Sequence, residues 1–198
     1  MKKGTIAIIA ILAVVAIGFL WFIGVRNKLV EVDESVNNAW GNVETVYQRR
    51  ADLIPQLVNT VKGVSNYEQE TFLAVTEARS KAVNLTLTGD QLTEENVANF
   101  QKVQDELKNE LTKAINLTVE RYPELTATEA YKNLMTQLEG TENRISVERK
   151  NFNDVVAVYN KSIRKFPNSI VADMSGFDKK GYFVASQGTE KAPEVSFE

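Results

Sequence analysis

From Gly4 to Val25 the chain reads GTIAIIAILAVVAIGFLWFIGV, with no charged side chain between Lys3 and Arg26. About 20 apolar residues rising ~1.5 Å each cover the ~30 Å of a bilayer's hydrocarbon, so residues 4–25 predict a single transmembrane helix in contact with lipid. A core helix of a soluble domain would keep polar positions on one face, and this run has none. Trp21, Arg26 and Lys28 stand at its end as the expected membrane-interface anchors, the indole at headgroup level and the cations in water. The sequence FLWFIGVRNK is bulky and then basic, without the small-x-small site of a cleavable signal peptide, so residues 1–26 are expected to remain as an anchor. Lys2 and Lys3 on one flank balance Arg26 and Lys28 on the other, so the positive-inside rule tips only weakly toward a soluble domain on the outer side.

Beyond residue 26 the apolar positions recur every three or four residues, and no stretch alternates as a half-buried strand would. The fold class expected is all-α, an N-terminal transmembrane helix followed by an antiparallel four-helix bundle over residues 27–166 with long first and fourth helices. The first, about 27–64, places Leu29, Val36, Trp40, Val43, Tyr47, Ile54, Leu57, Val61 and Val64 in 4-3 alternation, with Asp33 and Arg50 in the two remaining seam slots. That spacing predicts a coiled-coil-like contact. A capping box at Ser65 and Glu68 predicts a second helix from Asn66 to about Asn84, packing through Leu73, Val75 and Ala78. After the loop LTLTGDQLT, Thr93 caps a third helix from Glu94 to about Arg121, with Val97, Phe100, Val103, Leu107, Leu111, Ala114 and Ile115 inward. YPEL ends it, because proline disfavours helix at the residue before. A second box, Thr126 and Glu129, opens a fourth helix to about Lys165 along Tyr131, Leu134, Leu138, Thr141, Ile145, Glu148, Phe152, Val155 and Tyr159. FPN stops it, and residues 167–198 are expected to form a short docked segment and a loose tail.

Two residues strain this pattern. Pro55 lacks the N–H that would bond the carbonyl of Ala51, and in a helix interior it costs about 3 kcal/mol. A kink is expected rather than a break restarting from Asp52, since the 4-3 spacing continues across it; it could serve as a static bend or as a hinge. Arg50 falls on the apolar seam, where an unpaired charge would cost several kcal/mol. In an antiparallel pair its level matches residues 142–148 of the fourth helix, so Arg50 is expected to form a buried ion pair with Glu142 or Glu148 that fixes register; the alternative is a guanidinium reaching solvent beside a narrow seam. Arg49 with Asp52 and Glu77 with Lys81 read as ordinary surface pairs. Asp105, Glu106 and Glu110 do not form a calcium loop.

The composition then narrows the chemistry. The 198 residues include no cysteine and no histidine, and the formal charge is −3 with signs interspersed. Thiolate and imidazole nucleophiles, N/S zinc sites, disulfides and lipidated cysteine are excluded, and no basic stripe suggests nucleic acid. No catalytic residue, metal or cofactor is expected. A non-enzymatic module that binds an unidentified protein partner at the membrane is the leading reading, oligomeric state undetermined. A hydrolase working near the cell envelope through two carboxylates, such as Glu142 and Glu148, is the alternative.

Several separated stretches, RRADLIPQLVNTVKGV, QLEGTENRISVERKNFNDVVAVYN and FPNSIVADMSGF, together with the apolar N-terminus, resemble the bacterial LemA family in order and over most of the chain. The family pattern reads Asn where this sequence has Gln56. The resemblance implies a single-pass protein of the bacterial inner membrane carrying a helical-bundle domain, in a family whose biochemical activity is poorly defined.

Overall fold

The computed structural model describes residues 3–62 and 69–184. These contain α1 (Lys3–Lys62), α2 (Gln69–Asn84), a 3-10 turn (Gly89–Gln91), α3 (Glu94–Arg121), α4 (Pro123–Thr126), α5 (Glu129–Arg164) and α6 (Asn168–Ser175), and no strand. The all-helical reading holds, with six α-helices among the described residues where the pattern predicted an anchor and four. The largest departure is at residue 26. The expected anchor and the expected first helix of the bundle are one helix of 60 residues, about 90 Å long at ~1.5 Å per residue. Between Arg26 and Val36 there is neither glycine nor proline to end it.

Two hydrophobic cores lie along this rod. Leu29, Val36, Trp40, Val43 and Tyr47 of α1 pack with Phe100 of α3 and with Ile145, Phe152, Val156, Tyr159 and Ile163 of α5, so α5 runs antiparallel to α1. Farther from the N-terminus, Leu53, Ile54, Leu57 and Val61 meet Phe72, Val75 and Ala78 of α2, Leu107 and Leu111 of α3, and Leu134 and Leu138 of α5. The predicted α1 seam is therefore buried from Leu29 to Val61; Val64, the Ser65–Glu68 box and the start at Asn66 lie outside the described residues. On α2 the inward face is Phe72, Val75, Ala78 and Ala82, while Leu73 is 48% exposed. Positions 72, 75, 78 and 82 share one stripe, and Leu73 lies 100° off it.

Caps account for most of the remaining boundaries. Thr93 accepts from the Asn96 amide at 3.2 Å, as its position before α3 predicts. Thr126 does not cap the last long helix. It closes α4, whose first residue is Pro123 in the position where a missing N–H costs least. The cap of α5 is Thr128, accepting from Tyr131 N at 3.3 Å. The expected docked segment includes α6, which ends at Gly176 with φ 74°, a left-handed conformation that glycine adopts without a Cβ clash.

After α6 the chain turns back as an extended strap held by three carboxamides. Asn160 donates to Lys180 O at 2.9 Å and accepts from Lys180 N at 3.0 Å. Asn153 does the same with Phe183, at 2.8 and 2.9 Å, and Gln101 with Val184, at 3.0 and 3.1 Å. Each side chain thus supplies both bonds that a neighbouring strand would otherwise give. Phe183 inserts beside Trp40, stacked at 5.9 Å between ring centres, with Phe152 edge-on to it at 5.5 Å. Trp40 in turn donates to Leu87 O at 3.0 Å, fixing the loop before the 3-10 turn. The seam slot at Asp33 is filled by the same strap: Lys180 Nζ lies 3.2 Å from its carboxylate and donates to Gly89 O at 2.7 Å.

Candidate functional site

Arg50 is only 3% exposed and sits between the two cores. Its Nη2 donates to Gln104 O at 2.9 Å and to Gln104 Oε1 at 2.7 Å. Its Nη1 lies 3.4 Å from Glu142 Oε2, and the Tyr47 ring faces the guanidinium at 5.0 Å. Glu142 also accepts from Lys108 at 2.6 Å, and the Gln104 amide donates on to Ala82 O near the end of α2 at 3.4 Å. One polar layer therefore ties α1, α2, α3 and α5 together. Glu148 is not in it; that carboxylate is half-buried and accepts from Asn151 at 3.3 Å.

Charge follows the geometry. Burial lowers the Arg50 pKa from its ordinary value, and the Glu142 carboxylate opposes that shift. For Glu142 burial acts upward, but the hydrogen bond from Lys108, with the charges of Arg50 and Lys108, brings the carboxyl below its ordinary value. Glu142 is thus held ionised, the reverse of what a general acid needs.

Pro55 has its own answer in α2. The helix continues through it, so the restart from Asp52 does not occur. The Ala51 carbonyl, which has no donor at residue 55, accepts from Arg79 Nε at 2.7 Å. Arg79 reaches Asp52 as well, at 3.9 Å. Asp52 otherwise accepts from Gln48 at 2.8 Å, and Lys81 pairs with Glu106 of α3 at 3.2 Å, so the pairings expected within single helices, Arg49–Asp52 and Glu77–Lys81, give way to others. Glu110 is taken by Lys113 at 2.6 Å. Sequence reasoning missed Arg79, Gln104 and the strap's Gln101, Asn153 and Asn160. Only the carbonyl orphaned by a mid-helix proline advertised that some donor would be required.

Beside the Arg50 layer, between α1 and the end of α2, opens a cleft of about 590 Å³. Tyr47, Phe100 and Ala82 form buried walls, while Gln48, Arg49 and Asp52 form a polar rim. The predicted anchors Trp21, Arg26 and Lys28 lie exposed on the outer surface of α1.

Residues 39–197 match the model of the LemA family. The chain is 24% identical to Protein LemA of Metamycoplasma hominis over 88% of its length and 76% of the relative. It is 26% identical to the magnetosome protein MamQ of Magnetospirillum gryphiswaldense, over 92% of this chain and 74% of that one. The match to MamQ 1 of Paramagnetospirillum magneticum is also 26%, covering 89% and 70%. An all-helical protein with one long apolar N-terminal helix, matching this family over most of its length, fits a bacterial membrane protein; the chain belongs to the LemA family.

Proposed function

We propose that the chain is a membrane-anchored scaffold that recognises a protein partner at the bacterial inner membrane. Residues 4–25 of α1 cross the bilayer once, with Trp21, Arg26 and Lys28 at the interface and the domain on the outer side. Residues 27–166 act as a bundle of four long helices, and residues 167–184 supply the docked segment; the expected tail lies outside the described residues. The Arg50–Glu142 pair sets the register of α1 against α5, and Pro55 gives α1 a static bend. The observation that carries the reading is the cleft beside Arg50: a mainly apolar recess of about 590 Å³ with Glu44, Arg49 and Asp52 on its lining, backed by the Arg50–Glu142–Lys108 charges, which pair with one another. Such a recess suits recognition of another chain's side chains. The hydrolase alternative gains no support, because Glu142 is fixed as an anion between two cations and Glu148 lies apart from it.

A photo-reactive residue placed at Gln48 or Arg49 of the full chain, in its own membrane, tests this. The same cross-linked chain is expected from both positions, none from the exposed control position Val158, and less after Arg49→Glu. No reproducible product, together with turnover of an envelope substrate by the purified protein, would reverse the assignment.

A further inference from the structure

Because α1 is unbroken, position along it measures depth once the anchor is in a bilayer; the argument here rests on that anchor. Phe22 and Val25 belong to the last turns of the apolar run, yet they are half-buried against the core cluster to which α6 contributes Val171 and Ala172. α6 packs on both α1 and α5. It follows the end of α5, where Ile163 shares a core with Leu29, and so lies level with the emergence of α1 from lipid. The opposite face of this segment is uncovered and apolar: Phe166 is 80% exposed, Ile170 51% and Met174 73%. Ile170 and Met174, four residues apart on α6, share one stripe, and Phe166 stands exposed in the turn just before it. Lys161, Arg164 and Lys165 are exposed on the preceding turn, and Arg26 and Lys28 on α1 at the same level; the exposed acids nearby are Asp173 beside the stripe, Asp178 after α6 and Glu31 one turn farther along α1.

We infer that the stripe of Ile170 and Met174, with Phe166 before it, seats in the headgroup–acyl boundary of the bilayer that α1 crosses, giving the domain a second, interfacial membrane contact. The occupant is lipid because the stripe continues the apolar belt of α1 and is rimmed by cations, the arrangement of helices that lie in the plane of an anionic interface. Two contacts fix both the tilt and the rotation of the domain, which a single helix crossing leaves free.

The absence of native cysteine permits clean single-cysteine spin labelling of the full chain. Labels at Met174→Cys, Ile170→Cys, Val158→Cys and Val15→Cys are compared in vesicles of phosphatidylethanolamine and phosphatidylglycerol, using dissolved oxygen and a water-soluble nickel chelate as collision partners. The ratio of oxygen to nickel collisions is expected to be several-fold higher at 174 and 170 than at 158, and highest at 15. If 174 and 170 match 158 while 15 is lipid-exposed, the interfacial contact is wrong and the anchor stands. If 15 is also water-exposed, the anchor reading falls and takes this one with it. Shielding of 174 from both partners, with spin–spin broadening that disappears on dilution by unlabelled chain, would assign the stripe to a second copy and overturn the inference.

Discussion

Pro55 and Arg79 make one unit although 24 positions separate them. A helix interior without an N–H leaves a carbonyl that must find another donor or remain buried and unsatisfied, at about 1–3 kcal/mol. Arg79 is that donor, at 2.7 Å. In thermal unfolding of the full chain in detergent micelles, Arg79→Leu is expected to destabilise by about 1–3 kcal/mol. In a Pro55→Ala background the same change should cost clearly less, since residue 55 then supplies the bond itself. Equal costs in both backgrounds would show that the two are independent. Arg50 and Glu142 give a test by pH. The folded Glu142 carboxyl lies below its ordinary 4.5, so its contribution is complete above pH 4.5 and is lost as pH falls through the folded value. Stability of the wild type is expected to fall in that acid window more steeply than that of Glu142→Gln, with Arg50→Met intermediate because Lys108 still holds the carboxylate. Identical slopes would remove the pair from any part in acid stability.

The strap after α6 shows how an element without regular secondary structure is fixed. Three carboxamides bond both sides of its backbone, and Gly181 N donates to Leu92 O at 2.8 Å. A Cβ at residue 181 would come within 2.7 Å of Glu94 Cα and Thr93 O, backbone atoms with little freedom to move. Gly181→Val is therefore expected to lift the strap while leaving the helices. Hydrogen exchange would show it: the amides of Lys180, Phe183 and Val184 should lose protection, and those of α1 and α5 should keep theirs. Retained protection across the strap would mean that the carboxamides hold it without the close approach at Gly181. The sequence contained the three carboxamides, but an Asn or Gln on a helix that bonds a distant backbone looks the same as one that faces water.

The continuity of α1 joins the apolar N-terminal segment, the proposed anchor, to the bundle in one helix. Spin labels at Val15→Cys and Thr45→Cys, 30 residues apart, should give a narrow distance distribution near ~45 Å, the rise of an uninterrupted helix. A broad distribution, or a mean well short of this, would place a joint at the membrane surface. Rigidity there has a consequence for recognition, because the cleft beside Arg50 would then keep a constant height above the bilayer. The proposed partner, bound at that height, would lose little orientational freedom that the proposed anchor had not already removed.

The spacing of apolar residues was enough to determine the long apolar N-terminal helix, the α1 seam and the span of α3, because an unpartnered apolar face in water is costly wherever its neighbours lie. The turn chemistry also placed Thr93, and the seam level of Arg50 pointed to residues 142–148. Which carboxylate faces Arg50, which arginine bonds the Ala51 carbonyl, and which helix face grips the strap were decided by the three-dimensional packing. Hydrogen bonds depend on positions within a few tenths of an ångström, and those positions follow from how whole helices settle against one another. For the same reason Thr128 rather than Thr126 caps α5: Thr126 completes a Thr-x-x-Glu box with Glu129 that Thr128, followed by Tyr131, does not, and the turn of chain after Pro123 overrides it.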